Sequence, residues 1–227
     1  MLNGLSFVEL PTDLQGILVD RPAKVIVLND KSSKQVRFDL FERLNTGGLR
    51  LTDQEVRECV FRGDFINFVT EMSEYRSFKA VVNVPANKLK DGTPQEFVLR
   101  FFAYLDTYQN FDHSVKNFLN EYAEKASEGF HDSPSREAEF RGTFDFLAES
   151  FPQGIRRNNR LTTPVNLFEG VAVGAALALR LNSDVAPTRN PDWVTGEAMT
   201  ASTTGATNSR VQVRNRIEFA RDRFLAR

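Results

Sequence analysis

The stretch "PVNLFEGVAVGAALALRLN", residues 164–182, sets the architecture, because apolar residues cover nearly every face of the helix that it predicts. A helix of this kind is buried among other helices and does not lie on a surface. Its longest apolar run, 171–179, is far too short to span a bilayer. The stretch therefore predicts the central helix of a helical protein.

Helix signals continue on both sides of this stretch from residue 51 onward. Proline is favoured at the first helical position, and it follows a good N-cap residue at Thr93-Pro94, Ser133-Pro134, Thr163-Pro164 and Asn190-Pro191. Thr93 and Glu96 also have the spacing of a capping box. Besides 164–182, the patterns predict helices at roughly 52–62, 64–78, 94–109, 113–128, 134–150, 191–200 and 209–226.

The first 50 residues have a different pattern. Helices are predicted at 11–20 and 32–45, and the β-branched run "KVIVLND" at 24–30 predicts a buried strand. One strand cannot form a sheet alone, so it needs strands from elsewhere. We therefore predict a mainly α protein of the α+β class, with a partial α/β segment at 1–50 and a multi-helix bundle at 51–227.

The composition and charge of the chain exclude several classes of protein and of site. The net charge is −1, so any binding to nucleic acid must come from local patches. Cys59 is the single cysteine, which excludes a disulfide within the chain, and its place in an amphipathic helix predicts a buried, inert thiol. No signal peptide, membrane span or zinc-type Cys/His spacing is recognisable, so we expect a cytoplasmic protein without a membrane partner. The 20 phenylalanines predict a phenylalanine-rich core.

The stretch "FERLNTGGLRLTDQEVR", residues 41–57, concentrates polar and glycine residues between two predicted helices. Arg43 ends the first helix, and Thr52 with Glu55 forms a capping box for the second. The turn between them comprises Asn45, Thr46, Gly47 and Gly48. Local structure explains this much, but it does not explain why Arg43, Gln54 and Arg57 cluster there. Two interpretations stay open: a helix–turn–helix corner, or an anion site built on glycine N–H groups beside a helix start.

This stretch resembles the motif F-x-R-L-N-x-x-G-x-x-L-x-x-x-E-x-R of a prokaryotic domain family. The family's best-known members are the GmrSD-type modification-dependent restriction endonucleases, whose N-terminal domain is ParB-like. The segments "LNGLSFVELPTDLQGILVDRPAKVIVL" (2–28) and "CVFRGDF" (59–65) are also similar to the family. The matching motif residues are Arg43, Asn45, Gly48, Leu51, Glu55 and Arg57. The resemblance implies that Arg43 and Arg57 contact phosphate or pair with Glu55, and that Asn45 holds the turn or bonds a ligand.

One family motif has no counterpart here. The Asp-Gly-Gln-Gln-Arg motif, which is associated with nucleotide-dependent or nuclease chemistry, lies upstream of the matched region, and "DLQG" at 13–16 does not supply it. The resemblance therefore implies the C-terminal part of a ParB-like unit. Three alternatives stay open: a truncated reading frame, one half of a split gene whose protein partner supplies the N-terminal half, or a form that has lost catalysis. Catalytic residues stay unassigned. No cofactor is evident from the residues, and nucleotide and magnesium are implied only by the resemblance.

Two further basic segments are candidates. "GIRRNNRLTTP", 154–164, places Arg156, Arg157 and Arg160 before a helix, and arginine and asparagine contact phosphates and base edges. The alternative is a solvated loop. The last helix, 209–226, carries Arg210, Arg214, Arg216, Arg221 and Arg223 with Arg227 beyond it, and an apolar face of Val213, Ile217, Ala220 and Phe224. It either follows a nucleic-acid backbone or packs with a charged outer face.

These features predict a DNA-associated module of a modification-dependent restriction or phage-defence system, without complete catalytic machinery. Two alternatives remain: a nucleotide-hydrolysing or DNA-cleaving enzyme subunit that needs a partner, and a structural interaction module or truncated remnant. The expected partner is DNA, and the expected contact residues are Arg43, Asn45, Thr46, Gly47, Gly48, Gln54, Glu55, Arg57, Arg156, Arg157 and Arg160.

Overall fold

The computed structural model describes residues 4–22, 25, 34–44, 50–130, 133–157 and 160–226, and it is mainly helical over them, as predicted. Its α-helices within these ranges are α1 (Thr12–Val19), α2 (Lys34–Leu44), α3 (Asp53–Val60), α4 (Asp64–Ser73), α5 (Arg76–Val81), α6 (Thr93–Thr107), α7 (Val115–Glu128), α8 (Ser133–Ser150), α9 (Val165–Leu181), α10 (Glu197–Thr203) and α11 (Arg210–Leu225). Short 3₁₀ turns lie at Phe7–Glu9, Ala86–Lys88, Tyr108–Asn110 and Asp192–Val194.

The predicted strand at 24–30 lies outside the described residues except for Val25, which is exposed. The ranges that the structure describes contain no strand. Within the described part of residues 1–50, the predicted α/β segment therefore shows only helical elements, among them α1 and α2.

Helix α9 is the centre of the fold, as its sequence predicted. It packs against α6, α8, α10 and α11, and most of its 17 residues are buried. Phe168 shows the arrangement: its ring meets Phe97 of α6 edge-on at 4.8 Å and stacks at 6.2 Å on Phe144 of α8. The phenylalanine-rich core extends to α5, where Phe78 contacts Phe144 at 5.2 Å. No helix in the described ranges is long and apolar enough to cross a membrane.

Two glycines on one side of α9 allow α11 to approach closely. A Cβ atom at Gly170 would lie 3.0 Å from the Arg216 carbonyl oxygen, and one at Gly174 would lie 2.6 Å from the Ala220 Cβ. Such distances leave no room for a side chain. The two helices therefore pack backbone to backbone, which fixes the position of α11 against the central helix.

Two of the predicted helices are each interrupted. The helix predicted at 64–78 ends at Ser73, because the N–H groups of Glu74 and Tyr75 turn back to the carbonyls of Glu71 and Met72 at 3.1 Å each. Helix α5 then starts afresh and packs against α8. The helix predicted at 191–200 is a 3₁₀ turn followed by α10.

One of the two predicted capping boxes is present in the structure, and the other is not. The capping box at Thr52 and Glu55 is confirmed, since Thr52 N–H donates to the Glu55 carboxylate at 2.7 Å and Thr52 Oγ1 accepts from Glu55 N–H at 3.2 Å. The box at Thr93 and Glu96 is wrong. Gly92, with φ +78°, precedes α6, and the Thr93 hydroxyl donates to Asp91 at 2.6 Å. Pro164 and Pro191, which were predicted at the first helical position, are N-cap residues and lie one residue before the observed first position.

Candidate functional site

Five charged side chains cross the interior from α3 to α11, and we call them the arginine–glutamate network. Arg57 of α3 donates to Glu96 of α6 at 3.2 Å, and Arg100, one turn along α6, contacts the same Glu96 at 2.7 Å. Arg100 also reaches Glu169 of α9 at 2.6 Å, and Glu169 pairs with Arg216 of α11. Positive and negative charges thus alternate across four helices.

The network is buried at both ends, and each end is also hydrogen-bonded to a neighbour outside it, although Arg216 Nε has no partner among the described residues. The side chains of Arg57 and Arg216 are 1% and 0% exposed. Gln54 Oε1 accepts from Arg57 at 3.2 Å, and the Thr207 carbonyl accepts from Arg216 at 2.8 Å. Buried charges are tolerated only when they are paired and hydrogen-bonded, so each member depends on its partners.

The pKa shifts show how the members hold each other. Burial acts to raise the pKa of Glu96, but the attraction of Arg100 and Arg57 outweighs it and lowers that pKa. Burial acts to lower the pKa of Arg100, and Glu169 and Glu96 reverse this effect and raise it. At Arg57 burial dominates and lowers the pKa, although an arginine stays protonated at neutral pH. Glu96 is therefore held as a carboxylate between two cations.

The start of α3 places Arg57 in this network. The Thr52 hydroxyl donates to the Asp91 carbonyl at 2.7 Å, which fastens the helix start to the turn before α6. A Cβ at Gly92 would lie 3.0 Å from Gln54 Cγ, so this turn needs glycine both for its positive φ and for space. Gln54 and Arg57 consequently face the interior, one turn apart.

A cleft of about 300 Å³ opens beside the same end of α3, and we call it the α3–α7 cleft. Its lining is Phe38, Arg50, Leu51, Asp53, Val56, Lys116 and Asn120. Lys116 and Asn120 lie one turn apart on α7, whose start is capped by Ser114 accepting from Asn117 N–H at 3.2 Å. Lys116 Nζ is 3.4 Å from an Asp53 carboxylate oxygen. Two cations, one carboxylate and one amide thus meet over an apolar wall.

Asn120 connects the cleft to the network. Its Oδ1 accepts a hydrogen bond of 2.7 Å from Arg57 Nε, while the side chain itself is half-buried and lines the cleft. The buried arginine therefore acts on the cleft wall through this amide. A ligand that presents oxygen acceptors and negative charge matches the polar part of the lining.

The described residues among those predicted at 41–57 have different roles. Arg43 is exposed at the end of α2, and Asn45, Thr46, Gly47 and Gly48 lie outside the described residues. Glu55 serves the helix cap. Gln54 and Arg57 are buried, and Arg57 pairs with Glu96, which corrects the expected pairing with Glu55. Leu51, expected in the core, is exposed at the cleft.

The loop arginines do not converge on one point. Arg156 donates to Gln153, Arg157 donates to the Thr203 hydroxyl of α10 at 2.6 Å, and Arg160 is exposed. Arg156 also lines a polar cavity of about 310 Å³ next to the Asp192–Val194 turn. Asn158 and Asn159, between them, lie outside the described part of the chain.

The loop carrying these arginines is fastened to the segment after α5. Ile155 N–H donates to the Val81 carbonyl at 2.9 Å, and Thr163 N–H donates to the Asn83 carbonyl at 3.0 Å. Gly154 has φ +84°, and a Cβ there would lie 2.9 Å from the Val81 oxygen. The loop is thus built into the body, although its arginines point to different partners.

The contacts of helix α11 distinguish the two interpretations of its sequence. Val213, Ile217, Ala220 and Phe224 are buried as predicted, but Arg216 lies inside with them and not on the outer face. The other described arginines have local partners: Arg210 with the Phe111 carbonyl, Arg214 with Glu218, Arg221 with Asp222 and Arg223 over the Phe219 ring. These contacts favour a packed helix with a charged outer face. Arg227 lies outside the described residues.

Sequence reasoning missed Glu96, Arg100, Glu169, Lys116 and Asn120 as members of one constellation. One signal was present: Glu169 is the single acid inside the otherwise apolar stretch 167–179. An acid at such a position needs a buried cation as a partner. The prediction for Cys59 was wrong, because its side chain is exposed on α3. Within the described residues no cluster of three or more His, Cys, Asp or Glu side chains could hold a metal ion.

Comparison with known proteins adds no relatives. No protein-family model matches the sequence, and no curated protein or solved structure matches it significantly. Functional inference therefore rests on the motif at 41–57 and on the geometry of the cleft.

Proposed function

We propose that this chain is a DNA-associated module of a modification-dependent restriction or phage-defence system. The system is suggested by the resemblance of residues 41–57 to the ParB-like family of the GmrSD-type endonucleases. The observation that carries the binding proposal is the α3–α7 cleft, which borders the motif helix and presents Arg50, Lys116 and Asn120 together. Arginine, lysine and asparagine are among the side chains that contact DNA phosphates.

The charge balance predicts how such binding would behave. The chain has a net charge of −1, so attraction to DNA comes from this local cluster and not from the whole molecule. Asp53 already neutralises part of Lys116 across 3.4 Å. Binding should therefore be weak at physiological salt and much stronger at low salt, because phosphate contacts release counterions.

Charge reversal on α7 gives a matched test. Lys116 lines the cleft, whereas Lys125 is exposed on the opposite side of the same helix. Fluorescence anisotropy with labelled duplexes, modified and unmodified, measures binding over a salt series. We expect Lys116→Glu to weaken binding by about tenfold or more at low salt, and Lys125→Glu to change it by less than about threefold. Absence of wild-type binding at low salt would sink the proposal.

A second candidate function, a protein-interaction module, is favoured by a separate observation. The segment 5–19 exposes Phe7, Val8, Ile17, Leu18 and Val19 close together along the chain. Contiguous exposed apolar patches are typical of protein–protein contact sites. Sedimentation over a range of concentrations, with and without Leu18→Gln, tests it: a concentration-dependent association that the substitution abolishes supports this candidate, and a monomer at every concentration counts against a self-association surface.

A further inference from the structure

We infer that Arg57 fixes the orientation of Asn120, so that the α3–α7 cleft presents an amide N–H donor to a phosphate oxygen. Arg57 is in this account a positioning residue that acts through Asn120. The choice of phosphate as the ligand rests on the proposed function. The orientation itself follows from the hydrogen-bond geometry.

The chemistry of the contact permits one orientation of the amide. Arg57 Nε lies 2.7 Å from Asn120 Oδ1. A guanidinium has only donors, so the amide oxygen must face it and the NH₂ group must face away. Among the residues that the structure describes, this NH₂ group has no hydrogen-bond partner. The cleft wall therefore holds two oriented N–H donors available to a ligand.

Arg57 cannot swing into the cleft to bind the ligand directly. It is 1% exposed, and its Nη1 donates to both Gln54 and Glu96 at 3.2 Å. Glu96 is in turn held by Arg100 at 2.7 Å. A buried guanidinium that two partners hold at Nη1 keeps its Nε pointing in one direction, and this fixed donor is what the orientation of Asn120 requires.

The surroundings of Asn120 define the ligand. Lys116 lies one turn before it on the same face of α7, and Arg50 lines the same cleft. Donors and cations together select an oxygen-rich anion. Asp53 also lines the cleft and lies 3.4 Å from Lys116, so its negative charge reduces the attraction that the two cations exert on a phosphate.

Asn120→Asp separates binding from folding. The aspartate keeps an oxygen for Arg57 and adds charge attraction, so the melting temperature should stay the same or rise. It removes both N–H donors, and we expect the affinity for duplex DNA at low salt to fall by about tenfold or more. Asn117→Asp makes the same charge change at an exposed position of α7 and should alter affinity by less than about threefold.

Nuclear magnetic resonance reads the orientation directly. The side-chain NH₂ signals of Asn120 are identified by their loss in Asn120→Asp. Arg57→Lys keeps the buried charge but removes Nε, so these signals should move in the free protein while those of Asn117 stay in place. Unchanged Asn120 signals in Arg57→Lys would overturn the positioning role, whatever the ligand.

Titration with DNA and with inorganic phosphate alone distinguishes the two proposals. Shifts of the Asn120 NH₂ signals with both ligands support both. If inorganic phosphate shifts them and DNA does not bind, the inference stands and the proposed function fails. If DNA binds and Asn120→Asp binds as tightly as wild type, the inference fails and the proposed function stands. No shift with either ligand overturns both.

Discussion

Helices α1 and α9 are both rich in apolar residues, but only α9 buries them. None of the residues of α1 is buried, and Ile17, Leu18 and Val19 at its end are exposed. Helix α9 packs against four helices and buries most of its length. The two helices have similar apolar content but different neighbours in the fold. An apolar sequence therefore predicts that a helix has a surface to bury, but it does not identify the element that packs against it.

Helix α9 also buries a charged residue, whereas α1 buries none. Helix α9 tolerates Glu169 in its apolar face because Arg100 and Arg216 reach it from two neighbouring helices. Such a position is stable only while the partners are present. The helical body is therefore stabilised jointly by apolar packing and by the arginine–glutamate network, and substitutions in α9 and α1 should have very different consequences.

The largest effect should come from breaking the network inside α9. Glu169→Ala leaves Arg100 and Arg216 without their shared carboxylate, and we expect the free energy of unfolding to fall by about 3–5 kcal/mol. Urea denaturation followed by circular dichroism measures it. Glu149→Ala, at an exposed position of α8, is the control and should stay within about 0.5 kcal/mol of wild type. An equal, small effect of both substitutions would contradict the network's role.

The next effect should come from the contact between α9 and α11. Gly174→Val places a side chain where even a Cβ would be 2.6 Å from Ala220, and we expect a loss of about 1–3 kcal/mol or more. Gly142→Ala is the matched control, because nothing lies within 4 Å of its Cβ position on α8. That substitution should stabilise the helix by about 0.5–1 kcal/mol. Thermal denaturation measures both effects: the midpoint should fall in Gly174→Val and rise in Gly142→Ala.

Some parts of the fold could be predicted from the sequence, and others could not. The central position of α9 follows from its apolar faces, and the cap at Thr52 and Glu55 follows from local spacing, since both signals lie within a few residues. The similar spacing at Thr93 and Glu96 failed because Glu96 has stronger partners in Arg57 and Arg100. A local pattern predicts a cap only when no distant charge competes for the carboxylate.

The network should also make stability depend on pH. The pKa of Glu96 is lowered in the folded protein from its ordinary value of 4.5, so its contribution is present above that pH and is lost as the pH falls through the lower folded value. Burial raises the pKa of Glu58, whose contribution therefore runs in the opposite direction. We expect Glu96→Gln to reduce the loss of stability in acid, and Glu58→Gln to leave it or increase it. Urea midpoints from pH 7 down to acid test this prediction, and identical acid sensitivity in Glu96→Gln and wild type would refute it.

The smallest effect should come from α1. Ile17→Gln and Leu18→Gln change exposed side chains, and we expect the free energy of unfolding of the helical body to change by no more than about 0.5 kcal/mol. Binding of a hydrophobic dye to the folded protein should fall at the same time. A large loss of stability would mean that α1 is packed in solution.

The candidate site was less predictable than the fold. The motif at 41–57 pointed to the correct helix start, but the role of Arg57 depends on Glu96 and Asn120, which follow it by 39 and 63 residues along the chain. Sequence spacing carries no signal for such contacts. Lys116 and Asn120 become candidate site residues only in the folded protein, where α7 packs against α3 and both line the cleft.

The most direct test of the account is the salt dependence of DNA binding by wild type, Lys116→Gln and Lys125→Gln. If the α3–α7 cleft holds a phosphate, the slope of log affinity against log salt should decrease in magnitude by about one in Lys116→Gln and stay unchanged in Lys125→Gln. Equal slopes for all three proteins, or no binding by wild type at low salt, would contradict it.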